Sequence, residues 1–329
     1  MKPNKLLRIF VSGLLAVAIS SPFLASAQSQ LRLSTHFGQS DPPGKGVAKF
    51  KELVEQKSGG RIAVRVWWNS ELGKERENTE MVRDGSIEMT TSLASGVGGW
   101  VPETALLEFP YIYKDDAHML RVVNAVRPHL DEILAPYNFK TLGAIDVGFR
   151  YILTKQKPIQ SIADLKGVKL RVPNPFYAAL FDSLGARSAI LPWPDIYVGL
   201  QSGVIDAMEA SPALIQSMRF QEQAKFLSRT NHIAAVNVFL TGKKWYDALP
   251  KDLQQVINEA SDEASRYQFT LQAASETESV KALVSAGAKL NDLKDPEEFR
   301  KAAITFREKY VKEKGVKWET LYRKMLAVQ

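Results

Sequence analysis

Arg171 stands in the run Val168-Lys169-Leu170-Arg171-Val172, where apolar and basic residues alternate until Pro173 and Pro175 stop the pattern. Period-two alternation predicts a short strand, and Phe176, Ala178, Ala179 and Leu180 predict a helix after it. The carboxyl end of a strand is where open α/β sheets bind ligands, and a guanidinium there presents a planar fork of donors matched to a carboxylate. A surface ion pair explains a lone strand arginine equally well. Arg150 sits in another apolar strand, directly after Gly148-Phe149. Trp193, held between Pro192 and Pro194, is either a rigid aromatic wall or a core side chain. His36 and His232 are lone histidines, as readily structural as ligand-binding. Glu209 is expected to pair with a basic residue inside the fold.

Other chemistries find little support. Cysteine is absent, which removes thiol catalysis and thiolate metal sites. His36, His118, His129 and His232 form no H-E-x-x-H pair, and there is no G-x-S-x-G elbow or calcium loop. Carboxylates occupy helix faces beside basic residues, so a hydrolase lacks a nucleophile and base, and no enzyme, metal or cofactor is expected. Ser95-Gly96-Val97-Gly98-Gly99 lacks the spacing and lysine of a phosphate-binding loop and is read as a flexible rim. The formal net charge of +7, part of it from Lys2, Lys5 and Arg8, is spread along the chain. That suits attraction of small anions, and no basic cluster with interleaved aromatics points to nucleic acid.

The elements that must position these residues begin after a leader. Lys2, Lys5 and Arg8 precede an apolar run, and Ala25-Ser26-Ala27 before Gln28 has the pattern of a secretory cleavage site. Residues 1–27 are therefore expected to be removed on export, with cleavage near Ala27. The apolar run is too short for a membrane anchor, and later apolar segments are interrupted by charge. A mature chain of about 300 residues predicts two domains. Strand, helix and strand succeed one another from Leu31 to Trp67, a βαβ unit. A helix over 115–135 carries Pro128, which is expected to kink or divide it. Gly148 marks a crossing between two strands. From 251 to 286 there is neither proline nor glycine, predicting one helix of about 50 Å that must lie across both lobes. A helical pair at 296–314 and 318–326 ends the chain.

Gly148-Phe149-Arg150, Asp164-Leu165-Lys166-Gly167-Val168-Lys169-Leu170-Arg171-Val172-Pro173, Leu184-Gly185-Ala186, Asp195-Ile196-Tyr197 and Leu200-Gln201-Ser202-Gly203-Val204-Ile205-Asp206 stand in order. With them the chain resembles the solute-binding proteins of tripartite ATP-independent periplasmic (TRAP) transporters, the DctP family. The resemblance implies an α/β, two-lobed periplasmic solute-binding fold with a cleft between lobes and a long helix spanning both. Lobe I would comprise 28–147 plus 236–275, and lobe II 148–235 plus 276–329. It implies a periplasmic protein, not membrane-embedded, that closes on a small organic acid and delivers it to a permease of one small and one large membrane subunit. A binding protein feeding a sensor is the alternative partner.

The family's carboxylate-binding arginine falls on Arg171 and its second arginine on Arg150, with Asn174 close after the first. Trp193 stands where the family often places an aromatic ring over the ligand. His36, Glu75 and His232 fall on cleft positions of the sialic acid branch, and Ala210 where an asparagine often contacts ligand. The chain departs from the pattern in Ala207-Met208-Glu209-Ala210-Ser211-Pro212 and at Leu93, which stands where that branch has glutamate. Sialic acid is thereby disfavoured. Fewer partners for ligand hydroxyls predict a hydroxy, oxo or aromatic monocarboxylate, with a uronic or aldonic acid as the alternative.

Overall fold

The computed structural model describes residues 28–329; the expected leader and its cleavage site lie outside the described residues. In chain order the regular elements are β1 (Ser29–Ser34), α1 (Pro42–Lys57), β2 (Ile62–Trp67), α2 (Glu75–Asp84), β3 (Met89–Leu93), α3 (Asp116–Leu134) and β4 (Phe139–Phe149). There follow β5 (Tyr151–Thr154), β6 (Lys169–Val172), α4 (Pro175–Ser183), β7 (Arg187–Ile190), α5 (Ile196–Ser202), β8 (Ala207–Ala210), α6 (Pro212–Ser217), β9 (Phe226–Arg229) and β10 (Ala234–Gly242). The last are α7 (Lys243–Ala248), α8 (Lys251–Ser285), β11 (Lys289–Asp292), α9 (Pro296–Lys314) and α10 (Val316–Leu326).

The strands form two sheets, ordered β2-β1-β3-β10-β4 and β11-β9-β5-β8-β6-β7. In the first, β1 pairs in parallel with β2 and β3, as the βαβ reading predicts, whereas β10 runs antiparallel to β3 and β4. In the second, β6 is parallel to β7 and β8. The chain crosses between sheets three times, at Arg150, over 230–233 and along α8 from β10 to β11, and the first two passages are tied by the Arg150 N–H bonded to the Ile233 carbonyl at 2.9 Å. Gly148 takes φ 90° at the first crossing, where an added Cβ would come within 2.4 Å of Gln272 Nε2 and 3.0 Å of Ser211 Cβ. Only glycine meets both demands cheaply.

Helix α8 has 35 residues, about 52 Å, and supports both sheets. Gln268 bonds the backbone N–H and C=O of Asp146 in β4, each at 2.7 Å, and Glu276 two turns on accepts from the Tyr151 hydroxyl at 3.1 Å in β5. Its buried face over β4 is built from Ala260, Ser261, Ala264 and Ser265, small enough for the close approach of Gly143.

Three expectations change. Pro128 does not divide α3, because Pro128 and Asn124, whose carbonyl loses its helical donor, both face solvent. The glycine run is no loose rim: Ala94–Gly99 forms a 3-10 turn with Ala94, Ser95 and Val97 buried. The C-terminal helices do not side wholly with the second lobe. Phe109 of the first half stacks on Phe176 of α4, ring centroids 5.3 Å apart, and Tyr310, Trp318 and Tyr322 close around Phe109. His118 Nε2 lies 3.0 Å from the Val328 carbonyl and Arg307 donates to the carbonyls of Pro110 and Tyr111, while Phe306 and Tyr310 meet Phe176 of α4, so 296–329 packs against both halves. Also unread in the sequence were β7, β9 and β11, four residues each.

Candidate functional site

Arg171 is the third residue of β6, which Pro173 ends before Asn174 caps α4. Only 3 % of it is exposed. Its Nε donates to the Leu191 carbonyl at 2.8 Å, and among the described residues no carboxylate pairs with the guanidinium. Its planar head lies 5.7 Å from the centre of the Trp193 ring. Burial pushes the guanidinium down to about 10, in spite of the attraction of Glu209, with Arg150 adding repulsion. Leaving a buried cation without a counter-charge is expensive.

Arg150 is as deeply buried, but its fork is occupied. Nε and Nη2 grip the two carboxylate oxygens of Glu209, Nη2 at 2.8 Å, and Nη2 also donates to the Glu209 carbonyl at 2.7 Å. Burial alone would lower the Arg150 pKa; the Glu209 charge raises it above the ordinary arginine range. Glu209 responds in kind: burial works against its ionised form, yet Arg150 holds it below the usual carboxylate range. The basic partner expected for Glu209 is thus Arg150 itself.

The remaining sequence-derived positions spread around this pair of arginines. Trp193 opens a 3-10 turn, half-buried and edge-to-face with Phe220, ring centroids 5.3 Å apart. His36, following β1, is 8 % exposed with no hydrogen-bond partner for Nδ1, and Glu75 Oε2 lies 3.8 Å away. Burial pushes its imidazole below the ordinary range, opposed by Glu75 and assisted by Arg171 and Arg150, so it is neutral. Glu75, first residue of α2, spends Oε1 on the Leu93 N–H at 2.7 Å and the Ser92 hydroxyl at 3.1 Å. His232 is fully buried behind Glu209, with Nδ1 2.8 Å from the Thr230 hydroxyl and Nε2 3.5 Å from Glu209 Oε2. Ala210 ends β8, fully buried opposite Tyr151. Asn174 accepts from the N–H groups of Phe176 and Tyr177 and donates to Ser95 Oγ at 2.8 Å, so its amide serves the helix cap and a bridge to the first half.

That bridge belongs to a set of contacts between halves that sequence reasoning missed. The Tyr177 hydroxyl of α4 donates to Glu108 Oε1 at 2.9 Å, and the Ser95 N–H donates to Glu108 Oε2 at 2.7 Å. At the rim, Lys74 Nζ meets Asp195 Oδ2 at 2.8 Å. A signal for Glu108 existed: it is the single acid in the apolar run Ala105-Leu106-Leu107-Glu108-Phe109-Pro110, where burial demands a partner.

Two sheets joined by paired crossings and a spanning helix, with the buried Arg171 guanidinium beside the Trp193 ring, are the architecture of a two-lobed solute-binding protein. The family described as bacterial extracellular solute-binding protein, family 7 (DctP) matches residues 33–314, and the chain belongs to it. It is a TRAP transporter solute-binding protein of a periplasmic family; among the described residues no helix is long and apolar enough to cross a membrane. The 2,3-diketo-L-gulonate-binding periplasmic protein YiaO of Escherichia coli is 30% identical over 284 residues, 86% of this chain and 85% of that protein. A TRAP periplasmic solute-binding protein of Bradyrhizobium, solved with α/β-D-galacturonate, superposes with TM-score 0.86 at 28% identity, covering 90% of this chain and 99% of that one. Its counterpart from Roseobacter denitrificans, with β-D-glucuronate, gives TM-score 0.86 at 25% identity over 92% of this chain and 100% of that one.

Proposed function

We propose that this protein captures a hydroxylated monocarboxylate of the sugar-acid class, holding its carboxylate on Arg171, and delivers it in the closed form to a TRAP permease. The observation that carries the reading is the buried guanidinium of Arg171, bonded only through Nε to Leu191 and unpaired with any acid among the described residues. A ligand carboxylate supplies the missing anion in bidentate geometry. Trp193 offers a flat face for the C–H side of a sugar ring. The sequence expectation of a poorly hydroxylated acid rested on apolar Ala207, Met208, Ala210 and Leu93. Polar groups come instead from two of the positions that the resemblance put at the cleft: His36 Nδ1 without a hydrogen-bond partner among the described residues and the Oε2 of Glu75 beside it. A neutral imidazole suits a hydroxyl better than a second carboxylate. The galacturonate- and glucuronate-bound relatives and the diketogulonate-binding relative support the same class.

Thermal shift and calorimetry with D-galacturonate, D-glucuronate, an aldonate, a small oxo acid and an aromatic acid test this. A sugar acid at 100 times its dissociation constant should add about 2.7 kcal/mol of stability. Stabilisation by the oxo or aromatic acid alone returns the ligand to the class read from the sequence, and stabilisation by none overturns the assignment of the site.

A further inference from the structure

Glu108 joins the halves with no cation in salt-bridge contact among the described residues. It lies in the 3-10 segment Pro102–Glu108, fully buried, accepting from Ser95 on its own side and from Tyr177 across the interface. The Ser95 hydroxyl in turn accepts from the amide of Asn174, so four side chains and one backbone N–H form a continuous bridge between the 3-10 turns of the first half and the start of α4. Nothing in carboxylate capture by Arg171 requires a buried acid here. We propose that Glu108 and Tyr177 form an interlobe latch that takes up a proton as the lobes close, so that acidification tightens capture. The latch deepens the ligand-closure reading above and rests on it.

With the halves joined at Tyr177 as they are in this structure, burial pushes the Glu108 carboxyl up to about 7, against its bonds to Ser95 and Tyr177 and the charge of Arg150. Separation of the lobes takes Tyr177 away and admits water, returning the carboxyl toward about 4.3. A group whose pKa is higher in the closed state favours that state when protonated. Closure is therefore assisted fully below about pH 4, and the assistance fades as pH rises toward about 7. The protonated acid keeps both contacts, with its O–H donating to the Tyr177 oxygen while the other oxygen still accepts from Ser95. The groups facing Glu108 do not titrate in this window. Arg150 is raised, and burial drives Tyr113 and Tyr177 well above the ordinary tyrosine range. Burial also lifts Asp116 to about 6 and raises Asp146 and Glu276 at the crossing, while His36 and His232 are lowered by burial. Their contributions remain when Glu108 is replaced, which separates them from the latch.

Calorimetry of the mature chain with D-galacturonate at about pH 5 and about pH 8 should give affinity weaker by roughly tenfold or more at the higher value. Glu108→Gln, a neutral mimic of the protonated acid, should flatten most of that slope at the acid-side affinity. Tyr177→Phe should weaken binding most at the higher pH, where the ionised acid loses its donor, and move the upper break of the profile to higher pH. Scattering from ligand-free protein gives an independent readout: the wild type should be more compact at about pH 5 than at about pH 8, and Glu108→Gln equally compact at both. A wild type with no pH dependence in either measurement, Glu108→Gln retaining the full slope, or Tyr177→Phe binding normally at both values each overturns the latch. Failure of D-galacturonate to bind at any pH counts against the ligand class, and the scattering comparison then decides the latch alone.

Discussion

Arg150 and Arg171 are two guanidiniums of nearly equal burial, 2 % and 3 % exposed, at one edge of the second sheet, before β5 and in β6 with β8 between them. Arg150 has its anion built in: Glu209 lies 59 residues along the chain and brings both carboxylate oxygens to the fork. Arg171 has none among the described residues. The same side chain in the same dielectric is thus a structural rivet in one place and, in the function proposed above, a receptor in the other. Burial does not separate the two roles; the presence of an internal counter-charge does. Arg150 also confines Glu209, so that this carboxylate is committed before it can neutralise Arg171.

The largest expected effect tests the rivet. Arg150→Met leaves Glu209 and the unpaired His232 nitrogen in a sealed site, and breaking a buried pair on one side removes about 3–5 kcal/mol of stability. A urea midpoint matching the wild type would show that Glu209 finds another partner. Adding Glu209→Leu to Arg150→Met should recover much of the loss, since apolar replacement of a whole buried pair is often neutral or better.

Arg171→Ala should do the opposite. The ligand-free protein should melt no lower than the wild type, because the deleted charge had no internal partner, while affinity for the sugar acid falls roughly a hundredfold or more. Arg171→Lys should lose most of the binding as well, since an ammonium cannot reproduce two parallel bonds to a carboxylate. Calorimetry and melting on the same preparations separate the arginines: one substitution removes stability, the other affinity. Equal stability losses for both would erase the distinction.

The sequence made Arg171 legible because its evidence is local, an alternating strand closed by two prolines and followed by an apolar helix. The long α8 was legible from its lack of breakers, and the crossing from Gly148. What the sequence does not carry is which distant charges meet. Glu209 reads as an acid in want of a base, but Arg150 as its base depends on β5 pairing with β8 in the register that sets Tyr151 opposite Ala210. The strands β7 and β11 escaped because their residues are half or fully exposed and show no buried alternation. Glu108 escaped for the same nonlocal reason: its partner Tyr177 lies across the interface and becomes visible only when the two halves are set together.

Trp193 sharpens the receptor side with a smaller effect. Trp193→Ala removes a ring 5.7 Å from the Arg171 head and the edge contact to Phe220. Such contacts contribute about 0.5–1.5 kcal/mol beyond buried area, so affinity should fall by roughly tenfold, unequally among ligands according to the face they lay on the ring. An identical loss for every acid tested would make Trp193 a support for Arg171 instead of a wall for the ligand.

The smallest expected effect is at the rim, where Lys74 and Asp195 meet across the halves at 2.8 Å with both side chains more than two-fifths exposed. Solvent and salt screen such a pair, and ordering two mobile side chains offsets most of its attraction. Lys74→Met should therefore weaken ligand binding slightly at low ionic strength and not at all at high ionic strength. The loss caused by Arg171→Ala should persist through the same salt series, because its charge acts inside the closed cleft, where mobile ions do not reach. If removing Lys74 produces a large, salt-insensitive loss, closure is held at the rim, and the contrast between the two buried arginines no longer explains how this protein retains its ligand.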